Sequence, residues 1–204
     1  MARGEGVSPG VVAARRLAEL GCCEIAPGLT DAEFARIEGE YGFEFADDHR
    51  AFLAAGLPVN SPSEAEPGVS YAWEKPWPEW RDSDPDELRE QLDFPVESVL
   101  RAVEGNGHWN PVWGARPDTR EEAAAVARRS LADAPRMVPI YAHRFLPAGR
   151  GSFGHPVLSM WGTDIICYGT DLIDYISQEF EEPRPEHPDG WSPQATVLFW
   201  RDYL

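Results

Sequence analysis

Lysine is almost missing from this chain: Lys75 is the single example in 204 residues. Basic residues total 18 against 35 acidic ones, a net charge of −17. A field of that sign repels phosphate backbones, which argues against direct DNA or RNA binding and would steer a basic partner inward. Cysteine is scarce as well. Cys22 and Cys23 are adjacent, a poor disulfide geometry, and Cys167 lies in an apolar run. With no C-x-x-C pair, neither a disulfide framework nor a cysteine-based metal site is expected, and the pattern suits a reducing, cytoplasmic compartment. No apolar run approaches about 18 residues, and "MARGEGVSPG" has no apolar stretch of the signal-peptide kind. No membrane span and no secretion signal are expected.

What is present is enough for a core. Hydrophobic residues make up 43% and aromatics 11%, while 19 Pro and 18 Gly imply many loops, so one domain with decorated termini fits the length. The acid falls in blocks at 24–48, 79–104 and 164–189, each interleaved with apolar residues. These are solvated faces of folded elements rather than acidic tails.

Local signals place the elements. Ser8-Pro9 opens a first helix that Gly21 closes. "LTDAEFARIEGEYG" holds a capping box, Thr30 with Glu33, and a stripe of Phe34, Ile37 and Tyr41. A short helix restarts near Asp47 with Phe52 and Leu53 inward, and Gly56 ends it. Residues 57–68 read as a loop and "VSYAW" as a strand. A helix opens at Asp84-Pro85, Pro95 interrupts it, and a second short helix carries Val96 to Val103. Thr119 and Glu122 cap the alanine-rich helix Arg120–Ala132. "RMVPIYAHRFLPAG", "HPVLSMWG" and "TDIICYG" read as three strands. Thr170 caps the helix "DLIDYISQEF", and "TVLFWRDYL" ends the chain as a strand or closing turn. Helices first and a strand meander later, without β-α-β-α alternation, predict an α+β fold with a mixed, mostly antiparallel sheet. Residues 1–28 are expected as a helical extension and 29–204 as the domain.

Chemical motifs fail one by one. "GRGSFG", Gly149 to Gly154, fits G-x-G-x-x-G by letter. A dinucleotide loop needs a helix at its end, yet His155-Pro156 and a strand pattern follow, so a glycine-rich strand connection with Arg150 at its tip is expected. His108, His143, His155 and His187 are scattered, with no ligand spacing. There is no G-x-S-x-G and no S-x-x-K. No catalytic residue, cofactor or metal is nominated. Trp73, Trp77, Trp80, Trp109 and Trp113 cluster in loops among Pro, Gly and Asn. A loop tryptophan is either a lid on the core or a recognition anchor.

Several segments resemble the SUKH superfamily, named after a yeast cell-wall-synthesis regulator and its bacterial relatives. In "GLTDAEFARIEGEYGFEFADDHRAFLAAG", Glu38, Tyr41, Gly42, Phe45, Asp48, His49, Arg50, Phe52 and Leu53 match its opening pattern, while Ala46 replaces the usual Pro. "MVPIYAHRFLP" and "PVLSMWGTDIICYGTDLIDYISQEF" are similar to its later strands and helix, so the resemblance covers about Leu29 to Phe180. It implies an α+β fold and no enzymatic activity. Bacterial members are largely regarded as immunity proteins that neutralise toxins, and eukaryotic ones as regulatory adaptors.

Two readings follow. One is a cytoplasmic toxin-neutralising binding protein with a basic toxin domain as partner, no direct nucleic acid and no membrane. The other is an intracellular regulatory or ligand-binding module with a Trp-lined pocket. Trp77, Trp80, His108, Trp109, Trp113, His143, Arg144 and Asp164 are the expected binding residues of the first; under the second, His108, His143 and Arg144 would converge on the Trp-lined pocket.

Overall fold

The computed structural model describes residues 8–60, 76–82, 84–181, 197, 199 and 200. The chain begins with α1 (Pro9–Leu20), β1 (Glu24–Ala26), α2 (Asp31–Tyr41), α3 (Asp47–Ala55) and β2 (Leu57–Val59). After α4 (Pro85–Gly105) come a 3-10 turn (Pro111–Trp113) and α5 (Arg120–Leu131). A meander, β3 (Met137–Tyr141), β4 (Arg144–Pro147), β5 (Val157–Trp161) and β6 (Asp164–Gly169), then leads into α6 (Leu172–Phe180). The architecture is α+β: the meander is an antiparallel sheet in the order β3-β4-β5-β6, and β1 and β2 form a separate antiparallel ribbon.

Strand alternation divides the interior in two. Val138, Ile140, Leu146 and Val157 join a core with α1, α2, α3 and α6. Met137, Phe145, Leu158, Met160 and Ile165 point the other way, to a core with α5 and the second half of α4. Helices therefore cover both faces. The α1 helix is integral to the first core, with Ala13 and Leu17 buried. Gly10 sits so close to α3 that a Cβ there would lie 1.9 Å from the Asp48 carbonyl oxygen.

The capping box of α2 forms as expected: the Thr30 hydroxyl accepts from the Glu33 N–H at 3.3 Å, and Glu33 Oε2 accepts from the Thr30 N–H at 2.7 Å. Four local expectations are corrected. Pro95 does not interrupt α4, which runs from Pro85 to Gly105 with Pro95 inside it. Leu88 and Leu92 are buried in the first core and Val99 and Val103 in the second. Packing on both sides of the proline offsets its local cost of about 3 kcal/mol. The segment starting at Met137 is a hairpin, not one strand. It turns at Ala142, whose φ of 46° is held by a 2.6 Å bond from its N–H to the Pro76 carbonyl. Residues 57–59 pair with 24–26 instead of forming a loop. Asp171, not Thr170, caps α6: its Oδ1 accepts from the N–H groups of Ile173 and Asp174 at 2.9 and 2.8 Å. The expected strand "VSYAW" and most of the C-terminal segment lie outside the described residues.

The glycine-rich stretch joins β4 to β5, and no helix follows it. Gly149, Gly151 and Gly154 all have positive φ, which glycine adopts without strain. The loop clamps the start of α3. Asp47 N–H donates to the Ser152 carbonyl at 2.8 Å, Gly151 N–H to Asp47 Oδ1 at 3.0 Å, and Gly154 N–H to Asp48 Oδ2 at 2.8 Å. Arg150 is exposed at the tip and bridges Glu38 and Glu44 at 2.7 and 2.9 Å. Glu38 also accepts from the Phe45 N–H at 3.1 Å, and Arg50 lies 4.0 Å over the Phe34 ring. The carboxylates at this corner are occupied in holding the β4–β5 loop to α2 and α3.

Candidate functional site

The eight expected binding residues fall in three places. Trp77 and Trp80 are in the first core, at 4% and 2% exposure. Trp77 lies against Tyr141 and Phe180, with ring centroids at 4.6 and 5.5 Å, and its backbone is bracketed by the Asn60 amide. Trp80 packs edge-on to Phe45 at 5.1 Å. Both are lids on the core, so neither offers its ring to a partner at the surface.

His108, Trp109 and Trp113 lie in the loop between α4 and α5. Trp109 and Trp113 meet edge to face at 5.2 Å, and the Trp109 indole N–H donates to the Gly114 carbonyl at 2.7 Å. Both are half-buried against the second core. Asn110, buried, caps the 3-10 turn by accepting from the Val112 N–H at 3.0 Å. That cap leaves Val112, 72% exposed, as the apolar tip.

The remaining three, His143, Arg144 and Asp164, gather at the hairpin end of the sheet. Arg144 is buried: its Nε donates to Glu179 of α6 at 3.0 Å and its Nη1 to the Ser159 hydroxyl at 3.0 Å. Its guanidinium lies 3.9 Å from the centre of the Tyr168 ring. This pins α6 to the sheet. Tyr175 is fully buried nearby, and burial, then the Glu179 charge, push its hydroxyl well above the usual tyrosine range. His143 is half-buried. Burial, then the positive charge of Arg144, push its imidazole down to about 4, so it is neutral at physiological pH. Its ring lies 5.8 Å from that of Trp161, and Asp164, exposed, stands opposite Trp161 in the β5–β6 register.

Trp161 and Ile166 are the residues that sequence reasoning missed. They are 52% and 48% exposed, on neighbouring strands. The alternation in "VLSMW" separates Leu158 and Met160 from Ser159 and Trp161. Nothing in the sequence says that the Trp161 end of the face opposite Leu158 and Met160 is left exposed. Trp161 and Ile166, with His143 beside Trp161 and the carboxylate of Asp164 opposite it, form an exposed patch. Its outer strand, β6, has β5 as its one ladder partner among the described residues. The Phe94 ring of α4 lies 5.7 Å from that of Trp161, tilted by 47°.

Comparison with protein-family models, curated proteins and solved structures returns no match. Among the described residues, no group of three or more His, Cys, Asp or Glu is placed to hold a metal ion. No described helix is long and apolar enough to cross a membrane. The arrangement at the hairpin end suits contact: a rigid aromatic, a branched aliphatic and a carboxylate on strands anchored from behind.

Proposed function

We propose that this chain is a non-enzymatic binding protein that meets a basic protein partner through the hairpin end of its sheet. The observation that carries the reading is the exposure of Trp161 and Ile166, 52% and 48%, beside the exposed Asp164 in a chain of net charge −17. A half-exposed Trp on a supported strand supplies large contact area at low ordering cost. The acid speeds encounter with a cationic partner. Together with the resemblance of residues 29–180 to the SUKH superfamily, this favours a cytoplasmic immunity protein that neutralises a basic toxin domain.

The test is co-expression with the toxin domain encoded beside this gene. Growth should be rescued by the wild type and lost with Ile166→Asp. A Trp161→Ala variant that folds normally yet protects fully would refute the assigned surface, and failure of the wild type to bind any such domain would refute the function.

A second reading, a regulatory module that binds a small polar ligand, draws support from one place. The Tyr175 hydroxyl is buried without a hydrogen-bond partner among the described residues, in the field of Glu179 and Arg144. A thermal-shift screen of small anions and polar metabolites in which none stabilises the protein, with Tyr175→Phe unchanged in stability, would remove it.

A further inference from the structure

Cys22 and Cys23 stand where α1 passes into β1. The backbone is fixed on both sides: Gly21 closes α1 with φ 61°, and β1 begins at Glu24, paired with Val59. Cys22 is exposed, and Cys23 is half-buried with its inner side against the first core. The two thiols are carried on consecutive residues of that fixed junction. Burial, then the neighbouring Cys22, push the Cys23 thiol up to about 12, so Cys23 keeps its proton at neutral pH.

Three uses of such a pair can be weighed on chemistry. A disulfide requires Cα atoms roughly 4.4–6.8 Å apart, and adjacent residues give about 3.8 Å, so closure stores strain. A metal cation must displace the thiol protons, and that of Cys23 is hard to lose. The described residues also supply no group of three or more ligands. A trivalent arsenic oxide needs neither condition. It reacts with two protonated thiols and sets the sulfur separation by its own two bonds.

We propose that Cys22 and Cys23 form a capture site for trivalent arsenic oxides. The step is R–As=O plus the two S–H groups giving R–As(S–Cys22)(S–Cys23) plus water. Two As–S bonds form, and the As–O linkage and two S–H bonds break. Both protons leave on oxygen, and arsenic stays trivalent, so no oxidant or reductant is consumed. Cys22, exposed, adds first. Cys23 closes the ring as its proton passes to the arsenic-bound oxygen. The site lies at the α1–β1 junction and does not depend on the contact surface proposed above.

The experiment titrates the full chain with phenylarsine oxide, reading intact mass and the count of thiols open to a colorimetric disulfide reagent. One phenylarsenic group should be gained with loss of two hydrogens, and two of the three thiols should be masked. The adduct should survive excess monothiol and be removed by a small dithiol. Cys22→Ser and Cys23→Ser should each lose it, and Cys167→Ser should keep it. Because adjacent cysteines also lie close in the unfolded chain, the same titration is run in urea. Half-saturation should come at roughly tenfold lower reagent in the folded protein, whose thiols are already ordered. Adducts that a monothiol strips, adducts that persist in Cys22→Ser, or equal half-saturation in urea would each overturn the proposal.

Discussion

His49 provides the sharpest physical prediction. It is fully buried in α3, edge-on to Phe45 at 5.2 Å, and neither ring nitrogen has a hydrogen-bond partner among the described residues. Burial pushes its imidazole down to about 3. The unfolded chain returns it to about 6.5. Above 6.5 the group is neutral in both states and contributes no pH dependence. Below 6.5 the unfolded state takes up a proton that the folded state refuses, so stability falls as pH falls, until about 3. Between pH 8 and pH 5 this single group removes about 2 kcal/mol. Replacing it with Leu removes an unpaired polar ring for an apolar one, which is nearly neutral or stabilising at pH 8. Urea unfolding of wild type and His49→Leu at pH 8, 6.5 and 5 measures the difference directly. Every other titratable group is the same in the two proteins, so its contribution cancels. The variant should gain about 2 kcal/mol on wild type between pH 8 and pH 5. Parallel pH profiles would mean that the imidazole is charged or solvated in the folded protein, and would refute its burial as a neutral group.

Other substitutions separate structural from contact roles. Asp48→Ala strips an acceptor from the N–H groups of His49 and Gly154 inside the clamp and should cost about 2–4 kcal/mol. Arg150→Ala breaks a solvent-screened surface bridge and should leave the urea midpoint almost unchanged. Gly10→Ala forces a methyl into the Asp48 carbonyl and should cost about 3 kcal/mol or prevent folding, read as loss of thermal cooperativity. Arg144→Ala leaves the partly buried Glu179 without its partner and should cost roughly 2–3 kcal/mol. Arg144→Lys should not rescue it, because one ammonium cannot serve Glu179, Ser159 and the Tyr168 ring together.

The sequence exposed the features that are local. Thr30 with Glu33 announced α2 because a capping box is a four-residue device, and His155-Pro156 ruled out a dinucleotide loop for the same reason. Features set by packing were hidden. Pro95 reads as a helix breaker until two cores are seen to hold α4 on either side of it. Three-residue strands such as Glu24–Ala26 and Leu57–Val59 carry no measurable alternation. The turn at Ala142 lacks Gly, Asn or Asp because its support is the Pro76 carbonyl, brought in from elsewhere. The same blindness divided the candidate site. Loop composition drew attention to Trp77 and Trp80, which are buried, while strand composition concealed Trp161 and Ile166, which are exposed. Arg144 was singled out for contact, and its guanidinium instead locks α6 to the sheet.

The central claim is that this acidic chain binds a basic protein through the end of its sheet. The most direct measurement is the affinity of wild type, Trp161→Ala, Ile166→Asp and Val112→Asp for basic toxin domains drawn from neighbouring genes, at two salt concentrations. The account predicts at least roughly tenfold loss for Trp161→Ala and Ile166→Asp. It predicts little change for Val112→Asp, and weakening of all four proteins by salt. Equal affinity across the four, or loss confined to Val112→Asp, would contradict it.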